Sequence, residues 1–135
     1  MIMTDSNKKI LDGITHKDLQ IRLQWAKQTI YKPTKEHFDI GINDPDPNVR
    51  ALWASKVEFI PTNEQLENGL KDKSWEVRLA WAKRNYKFTK KQILRGLKDK
   101  SKIVRLFWIE YVNTNYKNWE KAFIASDETL LRPIL

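Results

Sequence analysis

The chain of 135 residues has no cysteine, which removes disulfides and thiolate metal sites and agrees with a reducing compartment. Histidine is nearly absent too. His16 and His37 are the only two and lie far apart in the sequence, so imidazole-based catalysis or metal binding has little to build on. The four glycines never gather into a phosphate-binding loop, and no nucleophile motif or metal-ligand spacing is visible. No apolar run approaches the roughly 20 residues that cross a bilayer, and the first residues lack a continuous apolar signal segment. These absences lead us to expect a cytoplasmic protein that is not an enzyme, with no cofactor, no metal, no membrane association and no small-molecule substrate.

What the chain does have is repetition. Glycines fall at Gly13, Gly41, Gly69 and Gly96, arginines at Arg22, Arg50, Arg78 and Arg105, and tryptophans at Trp25, Trp53, Trp81 and Trp108, each series stepping by 28, 28 and 27 residues. A period of this size marks short supersecondary units that bury their apolar faces only by stacking on neighbours. The repeats run over about 6–33, 34–61, 62–88 and 89–115. A partial unit over 116–135, with Trp119 and the pair Leu131 and Arg132, reads as a C-terminal cap of a single domain covering 1–135.

Each repeat reads as two helices. Ser6, Thr34, Thr62 and Thr89 stand seven residues before the four glycines as N-caps of first helices, and Gln65 completes a capping box with Thr62. Apolar pairs at i and i+4, such as Leu66 with Leu70, give these helices one narrow buried face. The glycine inside each costs helix propensity, so it serves either a close backbone approach or the helix end. Asp18, Asp46, Ser74 and Ser101 cap the second helices, and Pro47 fits the first helical position after Asp46. Val49, Leu52, Trp53 and Val57 give the second helix its apolar pattern, and Pro33 and Pro61 are expected to stop the second helices of repeats one and two.

Charge is unevenly spread. The chain carries 25 basic and 17 acidic side chains, but residues 71–105 alone hold thirteen basic and three acidic ones. Such an excess suggests an anionic partner, although a solvated helical surface produces the same composition.

The segment KDKSWEVRLAWAKR, with its counterparts NDPDPNVRALWASK and KDKSKIVRLFWIEY, resembles the turn and inner helix of HEAT-like repeats. The short period makes it more similar to compact relatives such as the variant leucine-rich repeats, all of armadillo type. The resemblance implies an all-α fold: a right-handed α-solenoid of four to five helical hairpins. It also implies a polar ladder between adjacent repeats, with Asp44, Asp72 and Asp99 as acceptors, each six residues before Arg50, Arg78 and Arg105 as donors. His16 replaces the aspartate in repeat one, which suggests a weaker or absent ladder contact there.

The tryptophan series reads either as core or as a base-stacking platform, and the arginine series either as ladder or as a row of anion binders. Trp75 and Trp119 fall outside the series and are the better exposed aromatic candidates. A strip opposite the buried face holds Leu23 and Lys27, Ala51 and Ser55, Leu79 and Lys83, and Leu106 and Glu110. In a HEAT-like stack it would face the concave, partner-binding side, so Lys27, Ser55, Leu79, Lys83, Arg84, Glu110 and Trp75 are the partner-binding candidates. Lys71, Lys73, Lys98, Lys100 and Lys102 lie in the turns and are the candidates for an anionic partner, while Lys83, Arg84, Lys87, Lys90 and Lys91 surround the opposite connection. The expected function is a non-enzymatic scaffold for another protein, with a nucleic-acid-binding module as the alternative. Some HEAT-like proteins are DNA glycosylases that use aspartate, arginine and tryptophan. Here those residue types recur in every repeat, as scaffold residues do.

Overall fold

The computed structural model describes residues 5–84 and 86–116, and these are all-helical, with eight α-helices and no strand among the described residues. The helices are α1 (Asp5–Ile14), α2 (Leu19–Lys27), α3 (Lys35–Ile42), α4 (Pro47–Ala54), α5 (Asn63–Leu70), α6 (Trp75–Ala82), α7 (Lys90–Leu97) and α8 (Lys102–Asn115). The chain divides into two compact units, Met1–Arg84 and Asn85–Leu135. In the first, α1 packs on α2, α3 on α4 and α5 on α6, while the second helices touch in series, α2 with α4 and α4 with α6. In the second, α7 packs on α8. The capping unit expected over 116–135, with Trp119, Leu131 and Arg132, lies outside the described residues apart from Tyr116.

Local chemistry sets the helix starts. Thr34, Thr62 and Thr89 each form a full capping box, closed by His37, Gln65 and Gln92. Ser6 does not cap its helix, because α1 already includes Asp5. Asp18, Asp46 and Ser101 accept backbone N–H bonds at the starts of α2, α4 and α8. Ser74 stands at the same position in α6 but makes no such bond, its hydroxyl instead lying 2.5 Å from Glu76 Oε2.

The helix ends depart from expectation. Pro33 and Pro61 do not stop α2 and α4, which finish at Lys27 and Ala54. The connections turn back to pack an aromatic ring: Tyr31 meets Trp25 edge-on at 5.2 Å, and Phe59 stacks on Phe38 at 4.8 Å. Val57 consequently lies beyond the helix and is exposed rather than part of the apolar face.

The glycines are explained by space. A Cβ on Gly13, Gly41, Gly69 or Gly96 would sit 2.1–2.4 Å from the indole of Trp25, Trp53, Trp81 or Trp108 respectively. Each indole therefore lies flat against the first helix of its own hairpin, a seat that only a hydrogen side chain leaves open. Trp53, Trp81 and Trp108 are fully buried, together with Val49, Val77 and Val104 one turn earlier. Burying each such side chain contributes about 1.5–3 kcal/mol, which makes the second helices a main apolar element of hairpins two to four, whereas α2 buries only Ala26.

Candidate interaction surface

The surface rests on a polar frame that fixes the turns. Arg22 Nε donates to Asp44 Oδ2 at 3.0 Å, and Arg50 Nε and Nη2 donate to Asp72 Oδ2 and Oδ1 at 2.9 and 3.0 Å. Each arginine thus reaches the carboxylate of the following hairpin, 22 residues on, and not that of the aspartate six residues before it, from which Arg50 takes only the backbone carbonyl. Its other arm stays at home: Arg50 Nη1 donates to the carbonyls of Asp44 and Pro45, as Arg22 Nη1 does to those of His16 and Lys17. The aspartates work twice, since Asp44 Oδ1 and Asp72 Oδ1 also accept the N–H of Asp46 and Ser74. A guanidinium this deeply placed requires such a fork of acceptors to offset its desolvation.

Repeat one is not weakened by His16. Its Nδ1 accepts the Asp18 N–H at 2.9 Å and so performs the aspartate's turn-capping role, while Arg22 makes its ion pair forward to Asp44. Arg78 Nη1 donates to the Asp72 carbonyl at 2.8 Å. In the second unit Arg105 Nη1 donates to the carbonyls of Asp99 and Lys100, and Asp99 Oδ1 accepts the Ser101 N–H. Asp44 and Asp72 are thus engaged by arginines, and the indoles of Trp53, Trp81 and Trp108 are buried.

On this frame the strip emerges. Lys27, Ser55 and Lys83 are exposed, and Leu23, Ala51 and Leu79 one turn earlier are half-buried. Between α2 and α4 they form a trough of about 430 Å³ lined by Leu23, Lys27, Asn48, Ala51, Leu52 and Ser55. Leu52 was expected in the core; it is only half-buried and floors the trough instead. Asn48 was missed, although its place three residues before Ala51 puts it on the same helical face. In the second unit Leu106 and Glu110 are exposed, and Ile103, which sequence reasoning also missed, joins them at 52% exposure.

Arg84 leaves the set of partner contacts. It is 7% exposed, its guanidinium lies 5.6 and 5.2 Å from the ring centres of Phe38 and Trp81, and it donates to the carbonyls of Ala54, Lys56 and Phe59. It thereby closes the carbonyl-rich end of α4, a task that outweighs surface display. Trp75, at the first position of α6, is 38% exposed.

The turn lysines are all exposed. Lys71 pairs with Glu67 at 3.3 Å, and Lys73 borders a polar cleft of about 580 Å³ whose wall includes the Arg50–Asp72 pair. Lys98, Lys100 and Lys102 flank the α7–α8 turn of the second unit, and Lys87, Lys90 and Lys91 are exposed at its other end. Among the described residues no group of three His, Asp or Glu is placed to hold a metal, and no helix is long and apolar enough to cross a membrane. No family model, curated protein or solved structure matches the chain.

Proposed function

We propose that the chain is a right-handed, HEAT-like α-solenoid that works without catalysis in the cytoplasm, offering the strip on its second helices to another protein. The observation that carries this is the trough at Leu23, Ala51 and Leu52 with Lys27 and Ser55 on its rim. It combines apolar floor and polar rim, the composition that protein interfaces favour. The strip is also where the repeats differ, while the Gly–Trp seats and capping residues recur.

A pull-down from the source cell with Leu79→Asp and Lys83→Glu variants tests it. Both positions lie on the strip, outside the fully buried core. Loss of a partner captured by the wild type supports the strip as the site; undiminished capture by both variants rejects it.

Nucleic-acid binding is favoured by one observation of its own. The second unit carries eleven basic and five acidic residues against fourteen and twelve in the first. Charge reversal at Lys98, Lys100 and Lys102 then abolishes retention on DNA, with affinity falling steeply as salt is raised. Unchanged retention rejects this alternative.

A further inference from the structure

Three features of the strip in the first unit point to the chemistry of its occupant. The steps are unequal: α2 contributes Leu23 and Lys27, α6 and its C-cap contribute Leu79 and Lys83, and α4 and its C-cap between them contribute only Ala51 and Ser55. Small side chains between two larger pairs make a notch, and the trough of about 430 Å³ opens on its α2 side, lined by residues of α2 and α4 and the Ser55 that follows. The six strip residues of the first unit include two exposed lysines and no carboxylate.

We infer that the notch seats an acidic, amphipathic segment of a partner protein, and this rests on the strip being the docking face proposed above. An apolar side chain of that segment enters over Ala51 and Leu52. Carboxylates on either side of it pair with Lys27 and Lys83. Two steps between packed helices, each about 8–10 Å, separate the lysines by roughly 20 Å. The carboxylates therefore stand about six residues apart in an extended segment, or about 13 apart in a helical one. The complementarity is of sign and of shape together. A polyanion without an apolar side chain supplies only the first, and an apolar peptide only the second.

Fluorescence anisotropy with a labelled synthetic peptide of about 14 residues, long enough to span roughly 20 Å as a helix, tests this. The probe is glutamate-rich with phenylalanine at its centre, and its controls replace every glutamate by glutamine, or phenylalanine by serine. The wild-type protein is expected to bind the probe at least about tenfold more tightly than either control. The doubly substituted Lys27→Glu, Lys83→Glu protein and the trough-filling Ala51→Phe protein are each expected to lose about tenfold or more. Ser55→Glu, at an exposed position on the same rim, gives the same readout should Ala51→Phe fail to fold by circular dichroism. Reversal of Lys98, Lys100 and Lys102 is expected to leave probe binding unchanged.

Equal binding of the serine control, or an effect confined to the Lys98, Lys100 and Lys102 reversal, overturns the inference in favour of plain polyanion binding. Tighter binding of a single-stranded oligonucleotide than of the probe does the same. Absence of probe binding also overturns it. If Leu79→Asp still abolishes capture of the native partner in that case, the strip remains the docking face and only the acidic chemistry falls. If Leu79→Asp keeps the partner, the strip falls as well.

Discussion

The two units perform the same structural tasks with different chemistry. In the third and fourth hairpins the residue three positions after the buried tryptophan ties the second helix to earlier backbone. In the first unit this is Arg84, whose guanidinium reaches three carbonyls 25–30 residues earlier while lying beside Phe38 and Trp81. In the second it is Tyr111, whose hydroxyl donates to the Tyr86 carbonyl at 3.3 Å and whose ring sits among Phe88 and Trp108. A cation suits a site that collects several carbonyls, and a phenol suits one that offers a single carbonyl inside an aromatic cluster. What the two share is therefore the need to satisfy backbone carbonyls between hairpin elements, and the residue type follows from how many acceptors converge.

The surfaces diverge further than the interiors. The first unit balances fourteen basic residues against twelve acidic ones and engages two aspartates in part-buried ion pairs. The second carries a large basic excess on exposed lysines around its hairpin. Scaffold positions constrain residue type because a guanidinium, an indole or a hydrogen atom is required there, whereas exposed positions are constrained only by what they meet.

The largest effect tests whether the interiors are equivalent. Trp53→Ala and Trp108→Ala each remove a fully buried indole from its glycine seat, and each is expected to cost about 3–5 kcal/mol in denaturant unfolding. Hydrogen exchange is expected to rise first in α3 and α4 for the former and in α7 and α8 for the latter. Equal acceleration of amides in both units by either substitution would show that the division after Arg84 is not an energetic one.

A somewhat smaller effect is expected from the ion-pair frame of the first unit. Arg50→Ala removes both N–H donors to Asp72 and leaves a carboxylate that is 15% exposed without that partner, a loss of about 3 kcal/mol. Arg50→Lys restores the charge but not the fork and is expected to recover part of the loss. A double-mutant cycle with Asp72→Asn should give a coupling of about 1–3 kcal/mol, and additive losses would show that the pair does not join the hairpins.

How far the sequence discloses this molecule follows the range of the interactions. Thr34, Thr62 and Thr89 are readable as helix starts because a cap and its N3 partner lie within one turn. Helix ends are less readable: Pro33 and Pro61 limit how far a helix can extend, but the packing of Tyr31 and Phe59 sets where it stops. The glycine series left two meanings open, and only the position of the indole twelve residues on decides between them. Arg84 resembled a surface cation because its acceptors are backbone carbonyls, which carry no residue identity and lie a full repeat away. Within the candidate surface, Lys27 and Ser55 followed from helical spacing, whereas Leu52 did not. Its neighbours on the same stripe are buried, and the small size of Ala51 is what opens it to the trough.

The smallest effect separates the units by pH. Burial pushes the Tyr31 hydroxyl up to about 12, and burial together with the nearby Tyr116 raises that of Tyr111. A tyrosine is ionised near pH 10 in an unfolded chain, so the folded state favours the neutral hydroxyl in both units. Their contribution is complete below pH 10 and is lost as pH climbs, for Tyr31 through about 12. Lys56 works in the opposite sense within the first unit, because burial lowers its pKa and its neutral form is the better fit; stability gains as it deprotonates below the usual lysine value. The first unit is thus expected to hold or gain slightly as pH approaches 10 and to weaken beyond it. Tyr31→Phe should cost about 1 kcal/mol at neutral pH, where the hydroxyl donates to the Trp25 carbonyl, and flatten the alkaline fall. Lys56→Met should remove the gain without touching the fall. Site-resolved hydrogen exchange in α2 and in α8 across this range checks the assignment, since an alkaline loss in α2 that survives Tyr31→Phe would place its origin in another group.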